Sequence, residues 1–539
     1  MAETTPPTAE QLVQHLESYS ISAGSPEDLV QLLRPPRLGL RSSPNLRSAY
    51  GSTPGCWLAL AMVWEVETGR LEADDKAAIP SITALAAFLL SLCTQEQQNQ
   101  LQAIEHVEPK LRRVLLTASS LFNLEDATYQ GMTRICCQAL ANLVTGNEAA
   151  AAALFVRRLS LEAEDSLLQR LLASPDQGTL QAILIFLLNA VHGSRDRALL
   201  LGSSKTGAAL IDRLMVLVGA LFDDEVPEAI AQEEFSSNVV ALTFAIMQQI
   251  IYLGVFSETY EGHALMPEFA IDPSLVTMLK MLDGFLSLPG RASSPSSLAL
   301  VPFLVELLAH LSAHLINEGA QRVRDAADAA TFQGVVLVLH CLCSIGLAVD
   351  WEAEQEGLQQ NKIEHAQGEL VEGVEQVVDL LRFSQTLLPP PGSTRATSDS
   401  APSPAALSPK IVEINDSSSS TPTTMSDPPL AIPALAQLQR TCAQFLGIVS
   451  FSPPGTTKTS GATRRAQDRT KETGGLGILL SMCQIDERNP TMREHALFAV
   501  RNLLKGNQEN QDFVEGIKPQ YMVGKGGELL DLPPALRKE

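Results

Sequence analysis

Apolar residues recur every three to four positions along most of this chain, and the runs are bracketed by helix start and stop signals. Ser25-Pro26-Glu27-Asp28 opens LVQLL with a capping serine, a proline suited to the first turn and two acids, and Pro35 is expected to stop that helix. Ser174-Pro175-Asp176 introduces QGTLQAILIFLLNAV, which runs to Gly193. Asp272-Pro273 precedes SLVTMLKMLDGFLSL, and Asn489-Pro490 precedes TMREHALFAVRNLLK and Gly506. In the last of these, Met492, Ala496, Val500, Leu503 and Leu504 follow a 3.6-residue period. No train of alternating strands and no Asn-Gly hairpin between strand-like runs is seen, so the pattern predicts an all-α chain.

The pattern breaks at 389–429, where 24 of 41 positions are Pro, Ser or Thr and none is aromatic. Such a segment lacks the apolar surface to offset its ordering entropy, and is expected to be a disordered insert. A shorter polar stretch at 452–466 and a proline-rich block at 35–55 are expected to be loop-like. The predicted organisation is therefore N-terminal helices and loop (1–55), a helical body (56–388), the insert (389–429), a second helical block (430–519) and a tail (520–539). Deleting 389–429 is expected to move the thermal midpoint by less than about 5 °C, checked by calorimetry.

Composition sharpens this picture. Hydrophobic residues make up 45% of the 539 positions but aromatics only 5%, a Leu/Ala/Val/Ile palette that favours helix. The net charge of −22 argues against a nucleic-acid partner, because phosphate neutralisation needs clustered Lys and Arg. Eight cysteines are too sparse for a disulfide scaffold, which fits a reducing, cytoplasmic setting. The start, MAETTPPTAE, has neither the basic nor the apolar region of a signal peptide. Uncharged runs between Asp328 and Asp350 and between Glu234 and Glu258 are long enough for a bilayer. Their internal His340, Gln248 and Gln249 and their acidic flanks favour buried helices instead, so no transmembrane segment is expected.

Weak internal similarity points to repeats. ALANLVTGN (139–147) resembles AVRNLLKGN (499–507), with LLNAVHGS (187–194) as a looser copy. Each places Asn four residues before Gly, at Asn142, Asn189 and Asn502, and the first two asparagines are 47 residues apart (189 − 142), within helical-repeat range. Such an amide either satisfies a neighbouring helix end or lines a groove, where its paired donor and acceptor would grip an extended peptide.

Catalytic and cofactor motifs are not found. There is no GxGxxG and no P-loop. His310 and His314 share a helix face, but Leu311 stands where a zincin carries glutamate. Cys341 and Cys343, beside His340, would point to different helix faces, as would Cys136 and Cys137, so all are expected to be buried hydrophobes. No enzyme activity, cofactor or metal site is predicted.

The block 467–514 does carry a specific pattern. It comprises Gln467-Asp468, Glu472 with Gly474-Gly475, Leu479-Leu480 through Cys483, Asp486 with Asn489-Pro490, Arg493-Glu494, Ala499 to Leu503, and Asn507 through Gln511. In this order the pieces closely resemble the C-terminal domain of the ataxin-10 family, some of whose fungal members bear the name copper transport protein 86. Thr491-Met492, His495 and, upstream, Gly447 depart from the family or repeat pattern without disturbing the apolar period. The resemblance implies an armadillo-like helical-repeat solenoid acting as a non-enzymatic protein-interaction scaffold in cytokinesis and cell division. Its partners would be other proteins, and self-association is allowed. Two alternatives are a regulator of copper homeostasis and a helical-repeat exchange factor for a small GTPase. Within the insert, Ile411, Val412 and Ile414, followed by Asp416 and a serine run, resemble the short strand-forming motif that binds the modifier SUMO.

Overall fold

The computed structural model describes residues 6–22, 24–160, 167–222, 233–263, 271–318, 326–351, 360–387, 431–452, 460–486, 489–517, 521–523 and 529–531. The fold is an all-α helical repeat, and it divides into two compact units, Met1–Leu300 and Val301–Glu539. The first unit begins α1 (Ala9–Ser22), α2 (Pro26–Ser42), α3 (Pro44–Ser52), α4 (Cys56–Glu72), α5 (Ala78–Cys93) and α6 (Gln97–His106). It continues with α7 (Glu108–Ala118), α8 (Ala127–Val144), α9 (Glu148–Ser160), α10 (Leu167–Leu171), α11 (Gln177–Val191) and α12 (Arg195–Ser203). It closes with α13 (Lys205–Phe222), α14 (Glu233–Tyr252), α15 (Phe256–His263), α16 (Pro273–Leu286) and α17 (Pro295–Leu298). The second unit holds α18 (Val301–Glu318), α19 (Ala326–Trp351), α20 (Gln360–Glu372), α21 (Val374–Leu387) and α22 (Ala431–Val449). After these come α23 (Gly461–Glu472), α24 (Gly475–Ser481), α25 (Met492–Leu504) and α26 (Gln508–Gly516). Two three-residue strands, β1 (Tyr521–Val523) and β2 (Leu529–Asp531), pair antiparallel with Met522 opposite Leu530.

In the first unit α2, α5, α8, α11 and α14 pack side by side as a spine, with α1, α4 and α7 forming a second row. In the second unit α19, α22 and α25 make the corresponding row. Each spine helix buries a continuous apolar stripe. In α8 it is Met132, Cys136, Leu140 and Leu143; in α11 it is Leu180, Ile183, Leu184, Leu187 and Val191. A single helix cannot bury such a stripe, so stacking supplies the core. The turn after the spine helix recurs, with a left-handed residue at Gln95 (φ 59), Gly146 (φ 67), Gly193 (φ 67), Gly254 (φ 66) and Gly506 (φ 69). Glycine adopts that conformation without the Cβ clash, and Gln95 bears a cost of about 1 kcal/mol to do so.

Several expectations are corrected. Among the described residues two helices are long and apolar enough, by length and composition, to cross a membrane, Pro295–Asn317 and Ala329–Val349, so the absence of a transmembrane segment does not stand. The first escaped the charge pattern because Glu306 interrupts an otherwise uncharged run, a single cost that 23 residues of this composition tolerate. The Glu234–Glu258 run belongs to a pair of helices, Asn238–Tyr252 and Phe256–His263, bent by 112°. The block 35–55 is helical, not loop. Pro35 and Pro36 lie inside α2, where burial of Leu29, Leu33, Pro36 and Leu40 on one face outweighs the two lost backbone donors. At 452–466 helix resumes at Gly461, because Ser460 accepts the Thr463 amide at 3.1 Å as an N-cap. The insert 389–429, with Ile411, Val412 and Ile414, lies outside the described residues.

Candidate interaction face

The repeated asparagines sit at the ends of spine helices, and their amides reach the preceding repeat. Asn142, on α8, donates from Nδ2 to the Leu90 carbonyl of α5 at 2.9 Å. Asn189, on α11, donates to Thr145 Oγ1 at 2.8 Å. Asn502, on α25, donates to the Gly447 carbonyl of α22 at 2.8 Å. All three therefore tie one repeat to the next. Exposure separates them: Asn142 and Asn189 are half-buried, whereas Asn502 is 3% exposed. On α8 and α11 the neighbouring outward positions are Arg134, Ile135, Gln138, Gln181 and Ile185, a mixed face of amides and aliphatics along adjacent spine helices.

A larger amide network was not visible in the sequence. Gln467 on α23 donates from Nε2 to the carbonyls of Asn502 at 2.9 Å and Lys505 at 3.1 Å, closing the end of α25. Asn507 donates to Gln467 Oε1 at 3.2 Å and to Asp468 Oδ1 at 2.9 Å, while its own Oδ1 caps α26 through the Asn510 amide at 3.0 Å. Asn510 then donates to the Leu503 carbonyl at 2.9 Å. The first unit carries the same device. Gln100 donates to the carbonyls of Asn142 at 2.8 Å and Thr145 at 3.0 Å, and Asn147 donates to Gln100 Oε1 at 2.9 Å while capping α9 through Ala150. Helix ends leave four carbonyls without intrahelical donors, and a buried glutamine from the neighbouring helix supplies two of them at once. The Asn-x4-Asn spacing in the two similar segments, 142/147 and 502/507, was the available signal; the glutamines arrive from separate helices at unequal separations.

Other sequence candidates have plain placements. Cys136, Cys137, Cys341 and Cys343 are buried, and burial pushes the Cys136 and Cys137 thiols up from their ordinary value. Among the described residues no three His, Cys, Asp or Glu side chains gather closely enough to hold a metal ion. Asn489 is buried against α22, donating to the Ala436 carbonyl at 3.0 Å and accepting from Arg440 at 3.1 Å, while α25 starts three residues later at Met492. Gly447 has a packing reason. A Cβ there would stand 2.6 Å from the Phe498 ring and 3.2 Å from the Ala499 backbone, so glycine lets α22 and α25 approach.

Comparison with known proteins locates the similarity in this last block. Residues 459–532 match the family model described as the spinocerebellar ataxia type 10 protein domain. The ataxin-10 homolog of Dictyostelium discoideum is 42% identical over 69 residues, which cover 13% of this chain and 11% of that protein. That of Saccharomyces cerevisiae is 39% identical over 57 residues, 11% of this chain and 10% of that protein. Bos taurus ataxin-10 is 33% identical over 57 residues, 11% of this chain and 12% of that protein. The matched stretch thus spans about a tenth of each relative's length. Among solved structures, a circular tandem repeat protein with novel repeat topology and enhanced subunit contact surfaces aligns with 95% of this chain and 99% of its own, at 14% identity and a TM-score of 0.30.

Proposed function

We propose, from the premise that this chain carries the C-terminal domain of the ataxin-10 family, that it is a non-enzymatic protein-interaction scaffold acting in cytokinesis, with its repeat body in the cytoplasm. The match over residues 459–532 is the observation that carries this reading. The repeat architecture is compatible with it, because stacked helices present a long surface and need no catalytic cleft. On that surface the proposed partner contacts are Asn142 and Asn189, half-buried amides on neighbouring spine helices. Asn502 keeps its amide within the core and serves as the structural control.

Depletion in dividing cells tests the reading. Multinucleate cells are expected to accumulate, to be rescued by the whole chain, and to be rescued poorly by Asn142→Ala/Asn189→Ala at equal protein level. Normal division with disturbed copper content would favour the copper-homeostasis alternative instead. Full rescue by the double variant would remove the two amides from the account while leaving the scaffold role.

A further inference from the structure

The first spine helix, α2, packs on α5 and lies at one end of its row. Its inner face is Leu29, Leu33, Pro36 and Leu40. On its outer side Arg34, Arg37, Leu38 and Arg41 follow one another at positions i, i+3, i+4 and i+7, a single stripe along a helix. Arg34 and Arg41 are exposed, Arg37 is half-buried, and Leu38 is 53% exposed between them. In a chain of net charge −22, a stripe of three arginines would be expected to collect acidic neighbours. Among the described residues no ion pair or side-chain hydrogen bond is made by the guanidinium of any of the three, and Arg37 Nε is buried without a partner. Burial first, then Arg41 and Arg34, push the Arg37 guanidinium down from its usual value. A basic residue near a helix C-terminus complements the macrodipole, which accounts for Arg41 in the last turn of α2 but not for Arg34 and Arg37.

We propose that the stripe Arg34–Arg37–Leu38–Arg41 is a docking face for an acidic peptide segment whose carboxylates flank an apolar side chain. The stripe is about 10 Å long at 1.5 Å per helical residue, which suits two or three carboxylates paired with the guanidinium forks while an aliphatic side chain covers Leu38. Carboxylates there would relieve the mutual repulsion of the arginines. A nucleic acid fits less well. Its backbone would leave Leu38 uncovered, its many charges would find few cations on so short a stripe, and the remaining acidic surface would repel it.

Fluorescence anisotropy on the whole chain at physiological salt tests this, with a labelled twelve-residue peptide of Glu, Asp and Leu as probe. The expected results are saturable binding, an affinity loss of about tenfold or more in Arg34→Glu/Arg41→Glu, and a loss of about threefold in Leu38→Ser, with dichroism unchanged. Binding unaltered in both variants, or no binding at millimolar peptide, would overturn the proposal. So would tighter binding of a single-stranded oligonucleotide or phosphatidylserine vesicles that is lost in the same charge variant.

Discussion

Replacing Gln467 with alanine is expected to lower the unfolding free energy of the second unit by about 3 kcal/mol, read from urea denaturation. The size follows from what the side chain closes. Gln467 is 0% exposed, and its amide supplies donors to the Asn502 and Lys505 carbonyls and an acceptor to Asn507. Alanine takes the Gln467 donor from the buried Asn502 carbonyl and the Gln467 acceptor from one Asn507 amide proton, the other staying on Asp468, in a place that water reaches poorly, so desolvation adds to the small net value of the lost hydrogen bonds. Asn507→Ala removes the Gln467 contact and the α26 cap together, so its effect should be similar. The double variant should fall short of additivity by about 1 kcal/mol, because the two amides share one network. Asn189→Ala, whose bond to Thr145 is exposed, should cost less than about 1 kcal/mol. A Gln467→Ala effect within about 0.5 kcal/mol of zero would show that the network is ornamental.

A fragment of residues 430–539 is expected not to fold alone, although it contains the whole of the family match. Its helices rest on elements that precede the insert. Arg469 of α23 pairs with Glu372 of α20 at 2.8 Å and Glu375 of α21 at 3.0 Å. Arg382 of α21 donates to the Thr473 carbonyl at 2.7 Å, and Gln385 donates to Ser481 at 3.2 Å. The ion pairs are exposed and contribute little by themselves. The apolar contact matters more: α22 packs along both α19 and α21, and a Cβ at Gly475 would lie 2.6 Å from Val378. Cutting at 430 strips the faces of α22, α23 and α24 that pack on α19, α20 and α21, at about 25 cal/mol per Å² exposed. The fragment should show weak helical dichroism and poorly dispersed amide signals. A fragment of 301–539 that lacks only 389–429 should retain both. Cooperative unfolding of 430–539 by itself would refute this.

Much of the helical character could be read from the chain, because the apolar period and the caps are local. Asp272-Pro273 caps α16 as its sequence indicates, with the Ser274 amide donated to Asp272 at 2.8 Å. The turns at Gly193 and Gly506 likewise follow from residues within a few positions. Where the reading failed, a distant contact decided. Pro35 and Pro36 signal a helix stop, but the buried face of α2 carries the helix through them. Gly447 departs from the repeat pattern in the sequence, yet its missing side chain makes room for Phe498, 51 residues on (498 − 447). The membrane-length helix at 295–317 was hidden by one glutamate in the uncharged run. The asparagines at 142, 189 and 502 could be picked out by their spacing, but not the direction of their amides. That depends on which acceptors the neighbouring repeat presents, carbonyls at Leu90 and Gly447 and the Thr145 hydroxyl, and those lie more than 40 residues away.

Native-state hydrogen exchange of the whole chain carrying Gln467→Ala is the most direct test of the claim that the second unit, with the buried amides of α23, α25 and α26 at its end, unfolds as one cooperative body. Protection is expected to fall together, by a common free energy, across the backbone amides of α21, α22, α23 and α25. Loss confined to the last turn of α25 and to α26, with α21 and α22 protected as before, would contradict it.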